Sequence, residues 1–241
     1  MAVPALSATS LSKSYTRGER ALDDFSLVLA HGEIVGLLGE NGAGKTTALR
    51  ILSGLLAPDA GSVSVAGCLL SEARSRALRE IGVLFGAAPG LYERLSGREN
   101  IEYFARLQGL SAQAARSRTR EICALLQMEQ YVDARVATYS TGMRQKTALA
   151  RSVVHEPRVL LFDEPTSGLD VTATDVIHEF LLDQRERGRA ILFSSHAVEE
   201  VERLCDRVII LAGGATIARA AAFGDAALFR DRFKALIGAR P

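Results

Sequence analysis

Three observations predict an α/β fold with a parallel sheet and a helical insert. A short apolar run, Ile34-Val35-Gly36-Leu37-Leu38, passes through a glycine-rich loop into residues of helical spacing, Thr47 to Leu52. A second run, Val159-Leu160-Leu161-Phe162, is continuously apolar, as in a parallel strand covered on both faces. Between them, Leu95 to His155 changes texture and reads as mostly helical.

The remaining elements follow in order. Leu6 to Tyr15 and Ala21 to Ala30 alternate apolar and polar residues, which predicts an antiparallel hairpin. His31-Gly32-Glu33 is a turn into the Ile34–Leu38 strand. Ser62 to Val65 alternates as another strand, Arg74 to Glu80 is polar and helical, and Ile81 to Phe85 is again a short apolar strand. Ser96-Gly97-Arg98-Glu99 has the spacing of a capping box, with Ile101, Phe104, Ala105 and Leu107 following at helical intervals. Ser111 opens a second helix whose apolar side is Ala114, Ala115, Ile122, Leu125 and Leu126. Beyond Phe162, a helix over Val171–Arg187, a strand over Ala190–Phe193 and a helix over Ala197–Cys205 restore the α/β alternation. Val208–Leu211 and Thr216–Ala218 flank Gly213-Gly214 as a hairpin, and Phe223–Ile237 reads as a surface helix.

Composition narrows the class. The chain has 241 residues, 48% apolar and 24% charged, enough to bury a sizeable core. A net charge of +1 argues against a strongly basic nucleic-acid surface, and no nucleic-acid partner is expected. The three cysteines, Cys68, Cys123 and Cys205, are far apart and lack metal-ligand spacing, which predicts a reduced cytoplasmic protein. No apolar run approaches the roughly 20 residues of a bilayer span. Met1 to Leu6 lacks the features of a signal peptide, so any membrane role is expected to come through a partner.

Three stretches carry chemistry. Gly39-Glu40-Asn41-Gly42-Ala43-Gly44-Lys45-Thr46 matches the G-x-x-x-x-G-K-[ST] loop that wraps nucleotide phosphates. Strand, loop and helix in that order aim backbone N–H groups and the positive end of a helix dipole at an anion. The glycines allow tight turns and close approach without a Cβ. Lys45 is expected to reach the β/γ-phosphates and the Thr46 hydroxyl to ligate Mg²⁺; Asn41, Ala43 and Thr47 belong to the same nucleotide-binding set. Asp163 and Glu164 end the second apolar run with two carboxylates that point in different directions. Asp163 is expected to hold Mg²⁺ through its water shell, and Glu164 to face the attacking water as general base or positioning group. A solvated acidic strand end is the plainer reading of the pair. Ser140-Thr141-Gly142 opens a helix over Met143–Val154 and offers free N–H groups to an anion. That anion would be a partner molecule's nucleotide; an ordinary helix N-cap reads the stretch equally well.

In this order the motifs resemble the ATP-binding subunit of ABC transporters over about residues 5 to 220. The resemblance implies a RecA-like P-loop NTPase core with an antiparallel β subdomain and a helical insert carrying the signature motif. It implies one nucleotide-binding domain over 1–241, with core 1–94 and 156–220, helical subdomain 95–155 and C-terminal helix 221–241. Tyr15 matches the aromatic that stacks on adenine, and Ser140-Thr141-Gly142-Met143-Arg144-Gln145 matches the signature motif. Leu160 to Glu164 matches the second nucleotide motif and its catalytic glutamate. Ser167-Gly168-Leu169-Asp170 resembles the D-loop, and Ser195-His196 the switch histidine that contacts the γ-phosphate. The implied catalytic residues are Lys45, Glu164 and His196, with ATP as the nucleotide and Mg²⁺ held by Thr46 and Asp163. Two chains, a homodimer or a pair with a different ATPase chain, would sandwich two ATP molecules and drive an integral-membrane permease. The subunit would sit peripherally on the cytoplasmic face of the cell membrane. Ala87 to Glu99, with Leu91-Tyr92-Glu93-Arg94, lies in the family's permease-facing region.

Two departures are visible. Thr141, Met143 and Arg144 depart from the usual Ser-Gly-Gly-Gln signature and resemble the subgroup serving ABC-2-type export of sodium, drugs or polysaccharides, the NatA type among them. Gly86 stands where the family has a glutamine that helps to hold Mg²⁺, so that contact is lost, replaced by water or supplied by another group. Two rival classes remain. A DNA- or ribosome-associated ABC ATPase would carry coiled-coil insertions, zinc modules or a second motif set, and none is present. An ATP-binding regulator without hydrolysis rests on the missing glutamine alone.

Overall fold

The computed structural model describes residues 3–16, 18–86 and 90–221. The expected hairpin forms from β1 (Leu6–Thr16) and β2 (Glu19–Leu29), with Leu6 opposite Leu29. Next come β3 (Ile34–Leu38), α1 (Lys45–Leu52), β4 (Ala60–Val65), β5 (Cys68–Leu69), α2 (Arg74–Arg79) and β6 (Ile81–Phe85). Helices α3 (Gly97–Leu107), α4 (Ala112–Leu125) and α5 (Thr141–Val153) follow without a strand. The chain returns through β7 (Val159–Asp163), α6 (Val171–Glu186), β8 (Ala190–Ser195), α7 (Val198–Leu204), β9 (Arg207–Ala212) and β10 (Ala215–Ala221).

The strands join in the order β5-β4-β1-β2-β10-β9-β3-β8-β7-β6. The β9-β3-β8-β7-β6 half is parallel, and β2, β1, β4 and β5 pair antiparallel. A single parallel pairing, Ala215 with Asp23, joins the halves.

Alternation of side chains across the parallel half explains its continuous apolar runs. Ile34, Leu160, Phe162, Ile191, Phe193 and Val208 pack on one face with the insert helices and with α6 and α7. Val35, Leu161, Leu192 and Ile209 pack on the other with α1 and the antiparallel strands. Period-two geometry with both faces buried demands apolar residues at every position. Each such side chain contributes about 1.5–3 kcal/mol when fully removed from water. Gly36 lets α7 sit close, because a Cβ there would press on Val201 Cγ1 at 2.8 Å and Cys205 Sγ at 2.9 Å. The insert shares this core: Ile101, Ile122 and Val153 join the cluster that holds Leu160 and Phe162. Strands β6 and β7, on either side of the insert in sequence, are direct neighbours.

Several boundaries differ from the sequence reading, for local reasons. Helix α1 starts at Lys45 rather than Thr47 because Gly44, at φ 103°, takes the left-handed N-cap position. Helix α5 starts at Thr141 rather than Met143 because Ser140 caps it, accepting from Met143 N at 3.2 Å. The Ser96 capping box forms as expected. Leu107, at helical spacing, and Ala114, on the apolar side of its helix, are not covered: Leu107 is 62% exposed, and Ala114 is also exposed. Asn100 takes an inward place on α3, held by Tyr92 N, Tyr92 O and Ser96 O, so burial follows polar satisfaction rather than periodicity alone. Strand β5 and a 3-10 turn at Val136–Thr138 are too short to leave a periodic signal. The helix expected over Phe223–Ile237 lies outside the described residues. No helix among the described residues is long and apolar enough to cross a membrane.

Candidate active site

The carboxyl ends of β3 and β7 lie on either side of β8, and this brings the first two motifs together. The loop after β3 folds over the start of α1. A Cβ at Gly44 would collide with the Ala21 carbonyl oxygen, and the left-handed φ there also excludes most other residues. Gly42, at φ 81°, has open space on its Cα side, so its requirement is conformational rather than steric.

Lys45 is buried, with its ammonium donating to Gly39 O at 2.6 Å and Glu40 O at 3.1 Å. Burial lowers its pKa, and the nearby Glu164 and Asp163 carboxylates partly counter that. Thr46 Oγ1 donates to Asp163 Oδ2 at 2.7 Å, across 117 residues of sequence. Ser194, on β8, donates through Oγ to Asp163 Oδ1 at 2.6 Å and accepts from Glu164 N at 3.0 Å. Glu164 adopts φ 49°, a left-handed conformation that turns the chain sharply after the strand. Its Oε2 lies 3.4 Å from His196 Nδ1. Tyr15 is 59% exposed, and its hydroxyl meets Thr47 Oγ1 at 3.3 Å. A cleft of about 270 Å³ runs between these groups, walled by Tyr15, Ala21, residues 40–47 and Glu164.

A basic, glycine-rich anion cradle thus abuts two carboxylates and a hydroxyl, the parts that phosphoryl transfer needs for positioning and charge stabilisation. Residues 22–167 match the family model described as ABC transporter. The chain is 45% identical over 202 residues to the ABC transporter ATP-binding protein NatA of Bacillus subtilis, covering 84% of this chain and 82% of that one. The chain belongs to the ABC transporter family. A Nod factor export ATP-binding protein I of Burkholderia orbicola is 39% identical over 222 residues, covering 92% of this chain and 72% of the relative. A solved structure of an ATP binding subunit of an ABC transporter matches with TM-score 0.83 at 31% identity, over 98% of this chain and 95% of that one.

Within this ABC chain the remaining expected residues lie apart from the cleft. Ser140, Thr141, Gly142 and Asp170 are not among its walls. Ser140 caps α5, and Asp170 caps α6 by accepting from Ala173 N at 2.8 Å. The two caps are neighbours, since a Cβ on Gly142 would touch Ala173 Cβ at 3.4 Å. Gln145 donates to Pro165 O at 2.8 Å, which ties α5 to the segment after Glu164. Gly86 follows β6 exposed and at φ 67°, and Ala87 to Pro89 lie outside the described residues.

The Gly90–Glu99 stretch is anchored from below. Arg151 donates to Gly90 O at 2.6 Å and lies 4.6 Å over the Phe104 ring, while Arg144 pairs with Glu93 at 3.1 Å. Tyr92 and Tyr103 meet edge to face at 5.5 Å and are each somewhat under half exposed.

Sequence reasoning missed three polar residues beside the site. Ser194 bridges Asp163 and Glu164, and its only sequence signal is its place before the Ser195-His196 pair. His178 and Glu200 are buried together, 3.0 Å apart, on two helices. Neither belongs to a recognisable motif.

Proposed function

We propose that this chain is the ATP-hydrolysing subunit of an exporter, pairing with a second ATPase chain around two ATP molecules to power a separate membrane permease. The observation that supports it best is the connected set Thr46–Asp163–Ser194–Glu164–His196 at the mouth of the phosphate loop.

On this reading Gly39 to Thr47 cradle the phosphates, with Asn41, Gly42, Ala43 and Gly44 supplying backbone, and Tyr15 stacks on adenine. Lys45 exchanges its two carbonyl partners for β/γ-phosphate oxygens. Glu164 takes a proton from water as the water oxygen bonds to the γ-phosphorus. The bond from that phosphorus to the bridging oxygen breaks, and ADP and phosphate leave. His196, beside Glu164, senses the γ-phosphate. Mg²⁺ fits the hard oxygen donors of Thr46 and Asp163 and, when bound, neutralises phosphate charge. Gly86 offers it no side chain, so the family's glutamine contact is lost, replaced by water or supplied by another group.

Ser140, Thr141, Gly142 and Asp170 serve the nucleotide bound on the second chain. The Gly90–Glu99 stretch with the Tyr92 and Tyr103 rings is the docking surface for the permease, at the cytoplasmic face of the membrane. The name of the Nod factor export relative favours export, and the signature variant favours sodium, drug or polysaccharide cargo.

The test is a pull-down of tagged Glu164→Gln protein with ATP from detergent-solubilised membranes. A polytopic membrane protein is the expected companion. Ribosomes or DNA-associated proteins in its place would sink the transport reading.

A further inference from the structure

Three pieces of chain converge on one buried carboxylate, carried by a fourth, beside the hydrolytic centre. Thr166, two residues after Glu164, donates through Oγ1 to Glu200 Oε1 at 2.6 Å. Ser195, one residue before His196, donates through Oγ to Glu200 Oε2 at 2.7 Å. His178, on α6, meets Glu200 Oε1 through Nε2 at 3.0 Å. Glu200 itself is on the first turn of α7 and is 8% exposed; His178 is 4% exposed.

A carboxylate only accepts, so the His178 nitrogen facing it carries the hydrogen. His178 Nδ1 is buried without a hydrogen-bond partner among the described residues. Burial alone would raise the Glu200 pKa, but the donors His178, Thr166 and Ser195 outweigh it and hold the carboxyl below its ordinary value. A buried charge is a poor way to stabilise a fold, because apolar residues of the same volume serve as well or better. A cavity of about 390 Å³ opens beside the network, walled by Glu164, Thr166, His178, His196 and Glu200 among others.

We propose that Glu200, backed by His178, is a positioning residue for ATP hydrolysis: its two oxygens tie the segment after Glu164 to the strand end before His196. The ties hold Glu164 and His196 at their 3.4 Å approach, without Glu200 touching the nucleotide. This rests on the reading of Glu164 as the residue that faces the water.

The experiment measures kcat, KM for ATP and Tm for the purified full chain and for Thr166→Val, His178→Leu, His178→Gln and Glu164→Gln. Thr166→Val and His178→Leu are expected to lower kcat about 10- to 100-fold, as misplaced catalytic groups do, with KM nearly unchanged. His178→Gln keeps a donor toward Glu200 and is expected to recover most of the rate. Unchanged kcat in folded Thr166→Val, or equal losses in both His178 variants, would overturn the proposal. If His178→Leu does not fold, Thr166→Val, at a partly exposed site, decides alone. Wild-type protein that hydrolyses ATP and loses activity only in Glu164→Gln rejects this inference while keeping the proposed function. Wild-type protein without hydrolysis even when the second ATPase chain and the permease are present rejects both.

Discussion

The phosphate-loop side and the signature side of this chain are built differently, although in both a loop leads into the start of a helix. On the first, Thr46, Asp163, Ser194 and Glu164 are cross-linked by hydrogen bonds between elements far apart in sequence, while Lys45 is held by carbonyls of its own loop. On the second, Ser140 and Asp170 make only local bonds, each capping the helix that it starts. The first side is preorganised within one chain. The second has satisfied its helix and left its outer surface open. On the proposed reading the half-built side gains its remaining contacts from a second molecule: free N–H groups at a helix start attract an anion, but Ser140, Thr141 and Gly142 are not among the walls of the phosphate-loop cleft.

The largest effect should come from the organised side. Glu164→Gln is expected to lower kcat about 10²–10⁴-fold, the range for loss of a general base, with ATP affinity retained and an ATP-bound dimer accumulating. Single-turnover kinetics with size-exclusion chromatography checks both; a dimer that forms equally without ATP would break the comparison. Lys45→Ala should come next, weakening ATP binding about 10- to 100-fold, since a charge-assisted bond contributes about 1.5–3 kcal/mol. Titration with ATP reads this in the isolated chain, because the cradle needs no partner. The smallest effect sharpens the contrast most. Ser140→Ala is expected to cost the isolated chain only about 1 kcal/mol, the usual loss of an N-cap, while weakening the ATP-dependent dimer more. Equal losses in monomer stability and in dimerisation would leave Ser140 as a cap alone.

The phosphate loop, β3, β6 and the capping box were legible in the sequence because each is specified by residues next to one another. Glycine φ preferences, period-two burial and an N-cap three residues before its glutamate act over a few ångströms of chain. Leu107 and Ala114 misled for the same reason: periodicity names a helix face, and only the neighbouring elements decide whether that face is covered.

Taken alone, then, the sequence determined the α/β class, the anion loop, the adjacent carboxylates Asp163 and Glu164 at the end of β7 and the helical interruption between β6 and β7. Tertiary structure alone decided which strand lies between Gly39 and Asp163, and so made Ser194 a partner of both Asp163 and Glu164. It also decided that His178 and Thr166 meet the Glu200 carboxylate, to which only Ser195 is a sequence neighbour. Hydrogen bonds between groups tens of residues apart leave no spacing to read, because the sheet order that joins them is set by packing across the whole core.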